Sequence, residues 1–130
     1  MKIASLVARY LLGFIFLVFG LNGFLHFIPT PPPPPGVAGD FMIALFESHY
    51  LVIIFLLQLI PAAFLLINRF VPLALVLLGP VIVNIICFHA LMAPAGLPMA
   101  LFVTVLWGLV AYGVRSAFAG LLQVRASETA

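Results

Sequence analysis

The stretch VIVNIICFHALMAP (Val81–Pro94) decides the fold. It is apolar and, with the residues before it, long enough to cross a membrane, because about 20 predominantly apolar residues span a bilayer core. It also carries Asn84, Cys87 and His89. Polar side chains at membrane depth cost free energy unless they have partners or a function. The stretch therefore predicts a membrane-spanning helix whose polar groups need an explanation.

The composition extends this prediction to the whole chain of 130 residues, which is 66% hydrophobic and 6% charged. A soluble domain has roughly 45–50% apolar and about 25% charged residues, so we expect lipid to surround most of this chain. Its length allows one domain, residues 1–130. A net charge of +2 without a basic stripe argues against a nucleic-acid partner. The one cysteine, Cys87, excludes an internal disulfide and is interpreted as a small buried packing residue.

Four apolar runs predict membrane-spanning helices at about 4–27, 50–67, 71–91 and 97–112. The first run is longer than the apolar part of a usual signal peptide, so we expect a retained helix. A proline-rich outer loop at 29–40 follows it, with Asp40 as the expected N-cap of a short interfacial helix that begins at Phe41. Short or stiff connections predict an all-α, antiparallel transmembrane four-helix bundle.

The basic residues predict the orientation of this bundle. Four spans place every Lys and Arg on one side, namely Lys2, Arg9, Arg69, Arg115 and Arg125. The opposite loops contain Asp40 and Glu47 and no basic residue. Because loops rich in Lys and Arg stay in the cytoplasm, we expect both termini to be cytoplasmic, in a bacterial inner membrane.

This topology places polar side chains from three helices in the outer half of the bundle. The candidate ligand-binding residues are Asn22, His26, Glu47, His49, Gln58, Asn84 and His89. Asn22 and His26 are four residues apart and share a helix face, whereas Asn84 and His89 diverge by about 140° at about 100° per residue. Singly, each amide is more readily interpreted as an interhelical hydrogen bond, and His26 and His49 are interpreted as interfacial residues at least as readily as ligands. Their clustering is what indicates an outward-facing polar pocket. His89 is the best single candidate for a ligand contact.

Five segments share a rhythm of apolar residues in which Gly20, Asn22, Gln58, Asn84 and His89 hold characteristic places. These segments are ARYLLGFIFLVFGLNGF (Ala8–Phe24), FMIALFESHYL (Phe41–Leu51), LLQLIPAAFLL (Leu56–Leu66), NRFVPLAL (Asn68–Leu75) and PVIVNIICFH (Pro80–His89). With them, residues 5–118 resemble the DoxX-like family of small four-helix membrane proteins. The family name comes from a subunit associated with a thiosulfate:quinone oxidoreductase. The resemblance implies a redox-associated or quinone-interacting role, and it leaves open whether the protein is itself an enzyme.

Three functions remain open on these grounds. In the first, a quinone or similar flat lipophilic ligand accepts a hydrogen bond from His89 or His26, and the amides orient its headgroup. In the second, His26, His49, His89 and Glu47 hold haem or a metal, although none of their spacings is typical of a metal motif. In the third, the protein is a non-catalytic scaffold or small-molecule-binding subunit. Expected partners are the lipid bilayer, a membrane or periplasmic redox protein and further copies of the chain.

Overall fold

The computed structural model describes residues 2–129, and its regular structure is helical, with no strand in that range. The α-helices of this range are Lys2–Leu25 (α1), Val37–Glu47 (α2), Tyr50–Ile67 (α3), Val71–Leu91 (α4) and Leu97–Gly113 (α5). Short 3₁₀ helices occupy Pro94–Gly96 and Arg115–Leu122. The all-α class predicted from the sequence is confirmed.

Four helical segments among residues 2–129 are long and apolar enough to cross a membrane. They are Lys2–Leu25, Tyr50–Ile67, Val71–Leu91 and Pro94–Gly113, the last of which joins a 3₁₀ turn to α5. An integral membrane protein is the class that such helices define. The sequence placed the corresponding spans at 4–27, 50–67, 71–91 and 97–112.

The start of α2 differs from the sequence prediction. The helix begins at Val37, so the expected start at Phe41 with Asp40 as N-cap is wrong. Gly36 precedes the helix with a φ of 79°, in the left-handed region that glycine adopts without steric cost. The Asp40 N–H then donates to the Gly36 carbonyl at 3.1 Å, which places Asp40 inside the first turn rather than before it.

The four long helices enclose one apolar core. α1 packs against α3 and α5, and α4 packs against the same two helices. The core residues recur at helical spacing, for example Ala8, Leu12 and Phe16 on α1. Trp107 of α5 ties two helices together, because its indole N–H donates to the Leu75 carbonyl of α4 at 2.9 Å.

The outward faces of these helices are also apolar. Phe14 is 60% exposed, Val76 52% and Val105 59%, and each lies on a different long helix. Soluble proteins rarely expose contiguous apolar surface on this scale, whereas lipid tails solvate it. The exposed faces and the buried core are therefore both explained by a bundle that sits in lipid.

Candidate functional site

The two ends of the bundle differ in their polar residues. At one end the start of α1, the α3–α4 turn and the end of α5 meet, since Lys2, Arg9, Asn68 and Arg115 line one cavity there. We call this the basic end. We call the other the histidine end, because the end of α1, the start of α3 and the end of α4 carry or adjoin the three histidines, which are His26, His49 and His89.

Asn22 closes the end of α1. Its side-chain oxygen accepts a hydrogen bond from the Ile28 N–H at 2.7 Å, and its backbone carbonyl accepts one from the His26 N–H at 2.9 Å. Ile28 lies beyond the helix, so its N–H has no place in the helical ladder and takes a side-chain acceptor instead. The structure therefore gives Asn22 a local role in the turn that leaves α1.

His26, Glu47 and His49 are exposed at helix ends. His26 has a φ of 52° and His49 a φ of 62°, so both take the left-handed conformation of a turn. Glu47 is the last residue of α2, and His49 immediately precedes α3. These positions put the three side chains at the surface of the histidine end.

Asn84 and Cys87 lie on the outward face of α4. The Asn84 amide donates to the Pro80 carbonyl of its own helix at 2.8 Å, and its side chain is exposed. Cys87 is exposed as well, so its interpretation as a buried packing residue is wrong. The reason is the phase of the helix: Leu78 and Ile82 face the core, which turns positions 84 and 87 outward.

Gln58 and His89 are the less exposed members of the predicted set. Gln58 is 8% exposed and lies in the middle of α3, the helix that packs against α1 and α4. His89 is half-buried, and its Nδ1 lies 2.8 Å from the Ile85 carbonyl. A carbonyl oxygen only accepts, so Nδ1 carries the hydrogen of this bond. In the neutral imidazole, Nε2 is then a hydrogen-bond acceptor.

The His89 ring is held by its neighbours. The Phe88 ring meets it edge-on at 5.1 Å between centroids, and Phe41 of α2 stacks on Phe88 at 5.8 Å. On another side the ring lies against Gly96, where a methyl group would overlap the imidazole. Aromatic rings and a 3₁₀ turn thus fix one histidine with a single acceptor nitrogen in a largely apolar setting.

The structure does not join the predicted set through side-chain hydrogen bonds. No side-chain hydrogen bond within residues 2–129 joins two of its seven members. The same range has no group of three His, Cys, Asp or Glu side chains placed to hold a metal ion. The proposed metal set of His26, His49, His89 and Glu47 is therefore not brought together.

Two cavities that the structure describes lie at the basic end. One has a volume of about 530 Å³, and the other, of about 440 Å³, is lined chiefly by Trp107, Tyr112 and Phe118. None of the seven predicted residues lines either cavity. Arg9, which does, was used in the sequence only to orient the bundle. The signal that could have found it was an arginine inside an apolar run.

Comparisons with protein-family models, curated proteins and solved structures found no match for this chain. The resemblance to the DoxX-like family accordingly rests on the sequence segments alone.

Proposed function

We propose that the protein is a DoxX-like subunit of a bacterial inner-membrane redox system that binds a quinone or similar lipophilic ligand beside His89. Its four spans form an antiparallel bundle with both termini in the cytoplasm. All five Lys and Arg residues lie near the two termini or in the turn between the second and third spans, which are on the same side, and this supports the orientation.

Contacts between α1 and α3 support the antiparallel arrangement. Arg9, near the start of α1, bonds to the carbonyl of Leu65 near the end of α3. Phe24, near the end of α1, instead meets Phe55 near the start of α3, with ring centroids 5.9 Å apart.

The observation that carries the ligand proposal is the hydrogen-bonding state of His89. Its Nδ1–H is committed to the Ile85 carbonyl, so neutral Nε2 accepts rather than donates. A quinol hydroxyl is a suitable donor to this nitrogen, and the Phe88 and Phe41 rings offer aromatic contacts to a flat headgroup. For His89 this reverses the direction of the hydrogen bond expected from the sequence, in which the histidine donates to a quinone carbonyl, and the hydroxyl-bearing quinol is the form that we propose as the ligand.

The test compares binding of a short-chain ubiquinol and ubiquinone to purified protein in lipid nanodiscs. His89→Phe keeps an aromatic ring but removes the acceptor, and we expect it to weaken quinol binding by about 2- to 10-fold, the equivalent of one hydrogen bond. Gly96→Ala should also weaken it, because the new methyl group displaces the ring. Tyr50→Phe, which removes a polar group from an exposed ring at the same end of the bundle, is the control.

Two results would reject the ligand proposal. One is wild-type protein that binds neither form of the quinone. The other is quinol binding that His89→Phe and Gly96→Ala leave at the level of the Tyr50→Phe control.

A second candidate is a non-catalytic scaffold or small-molecule-binding subunit. It is favoured by the local bonds of Asn22 and Asn84, in which the Asn22 oxygen and the Asn84 nitrogen each bond to a backbone group of the same segment. On this hypothesis Gln58→Leu should leave self-association and capture of a membrane redox partner intact in cross-linking experiments. Loss of either association in a folded Gln58→Leu protein would contradict it.

A further inference from the structure

The cavity of about 530 Å³ at the basic end has an unusual charge balance. Within residues 2–129 its lining includes three basic side chains, Lys2, Arg9 and Arg115, and no carboxylate. Ser5 and Asn68 add neutral polar groups to the same wall. Lys2 and Arg115 are exposed, while Arg9 is only 7% exposed, so positive charge extends from the rim of the cavity to its floor.

Arg9 is partly stabilised by the end of α3. Its guanidinium donates to the Leu65 carbonyl, which lies in the last turn of that helix. The chain leaves the helix there, and the Arg69 N–H donates to the Phe64 carbonyl at 3.0 Å. A cation at a helix C-terminus is favourable because the helix dipole is negative there. This contact explains why an arginine is tolerated at this depth.

The contact does not neutralise the charge. A guanidinium has five N–H donors, and Leu65 accepts from one Arg9 nitrogen with an oxygen that carries only a partial charge. Burial of a full charge in a membrane bundle is costly unless a counter-charge is near. The three carboxylate side chains of the sequence lie elsewhere: Asp40 and Glu47 on α2, and Glu128 in the exposed C-terminal segment.

Arg115 is held at the rim of the same cavity. Its guanidinium lies 4.2 Å from the centroid of the Tyr112 ring and donates to the Tyr112 carbonyl at 2.8 Å. Arg9 likewise lies over an aromatic ring, 4.4 Å from the centroid of Tyr10. Cation–π contacts restrict where these planar groups sit and leave further N–H donors on each. Two guanidinium groups are therefore positioned around one space.

We propose that this cavity binds a phosphate-bearing anion, as the headgroup of an anionic phospholipid or as free phosphate. Guanidinium groups pair with phosphate through parallel N–H···O bonds, which makes arginine a preferred phosphate ligand. The cavity is of a size that holds small ligands. Arg9 follows Lys2 by seven residues, or about 10 Å of helix, so basic side chains line the cavity over that depth.

This site is separate from the proposed quinone contact. Val71 lines the cavity, and His89 lies 18 residues further along the same helix, about 27 Å away. The anion proposal therefore stands or falls independently of the function proposed for the histidine end.

The experiment uses the full chain, purified and delipidated in detergent. Native mass spectrometry compares binding of phosphatidylglycerol with that of phosphatidylcholine, which carries the same phosphate but also a cationic choline. In parallel, thermal unfolding is followed in sodium phosphate and in sodium chloride at equal ionic strength. We expect the wild type to prefer phosphatidylglycerol about 10-fold or more, or to be stabilised by phosphate. An effect of this size corresponds to one charge-assisted hydrogen bond.

The variants locate the site. Arg9→Gln and Arg115→Gln should reduce the preference to about 3-fold or less and abolish stabilisation by phosphate, since each removes a charged donor. Arg125→Gln makes the same change of charge outside the cavity and should behave as the wild type. If Arg9→Gln fails to fold, Arg115→Gln and Lys2→Gln decide the matter, because both of these side chains are exposed.

The two arms distinguish the sources of the anion. A lipid preference without an effect of inorganic phosphate identifies the headgroup, and stabilisation by inorganic phosphate identifies a free-anion site. Equal binding of both lipids with no effect of phosphate overturns the proposal. A preference that persists in folded Arg115→Gln, or that falls equally in Arg125→Gln, overturns it too.

Discussion

At the histidine end the polar side chains bond to neighbours in sequence, whereas the basic end has side-chain bonds that cross the bundle, beside the local bond of Arg115 to Tyr112. Asn84 and His89 each bond to a carbonyl four residues earlier on α4. Arg9, in contrast, donates to a carbonyl 56 residues away, and Trp107 to one 32 residues away. Proximity of polar residues in the sequence therefore did not indicate where long-range polar contacts form.

Packing follows the same division. The part of α4 nearer the basic end buries six residues between Val71 and Ile82, but within the described structure no residue from Asn84 to Leu91 is buried. α3 shows the same trend, since its described buried residues begin at Gln58. Lipid contributes no hydrophobic force between helices, so close packing and interhelical bonds must hold the bundle together. The basic half supplies both.

The largest expected effect tests this difference in packing. Leu75→Ala should lower the free energy of unfolding by about 2–5 kcal/mol, because Leu75 is fully buried and its truncation leaves a cavity in the core. Ile86→Ala, a half-buried site at the histidine end, should cost about 1–2 kcal/mol, since lipid and neighbours can fill part of the space. Unfolding in mixed micelles titrated with sodium dodecyl sulfate measures both. Equal losses of unfolding free energy in the two variants would contradict a difference in packing between the two ends.

The next effect tests the long-range bond of Arg9. Arg9→Met keeps most of the side-chain volume but leaves the Leu65 carbonyl without its partner, and should cost about 1–3 kcal/mol. Arg69→Met removes the same charge at an exposed turn and should change stability by about 0.5 kcal/mol or less. The same titration compares them. A stabilised Arg9→Met protein would show that desolvation of the charge outweighs its bond.

Trp107→Phe is expected to have a smaller effect. It removes the indole N–H that donates to Leu75 while it keeps an aromatic ring, so a loss of about 0.5–1.5 kcal/mol should follow. Phe102→Leu, on an exposed face of the same helix, serves as the control. A Trp107→Phe protein as stable as this control would indicate that the bond across α4 and α5 adds nothing to stability.

Much of the fold could be predicted because it depends on the order and length of apolar runs along the chain. The lengths of the apolar runs alone identified four helical segments. A turn at Asn68–Phe70 separates two of them, and both Asn68 and Phe70 take the left-handed conformation there. The start of α2 could not be predicted from capping preferences. It depends on how Gly36 turns the proline run, which is a property of backbone conformation rather than of side-chain polarity.

The candidate site was less predictable because α4 is apolar on all sides. A helix with one polar face shows which side is buried, but a helix between lipid and an apolar core does not. The inward or outward direction of Asn84 and Cys87 therefore had no signal in the sequence. The role of Arg9 was equally hidden, since it depends on the end of a helix 56 residues later.

The smallest expected effect concerns Asn84 and bears most directly on the predicted polar pocket. Asn84→Leu removes an amide that bonds only to the Pro80 carbonyl in the described structure, on a face exposed to lipid. Because the Pro80 carbonyl remains part of a helix, we expect a loss of about 0.6 kcal/mol or less, the average for hydrogen bonds in membrane helices. The same detergent titration measures it, with Val83→Leu as a lipid-facing control. A loss above about 1.5 kcal/mol, near the largest found for such bonds, would mean that Asn84 has a partner from another helix or protomer. The histidine end would then resemble the basic end, and the amide would regain a place in the binding site.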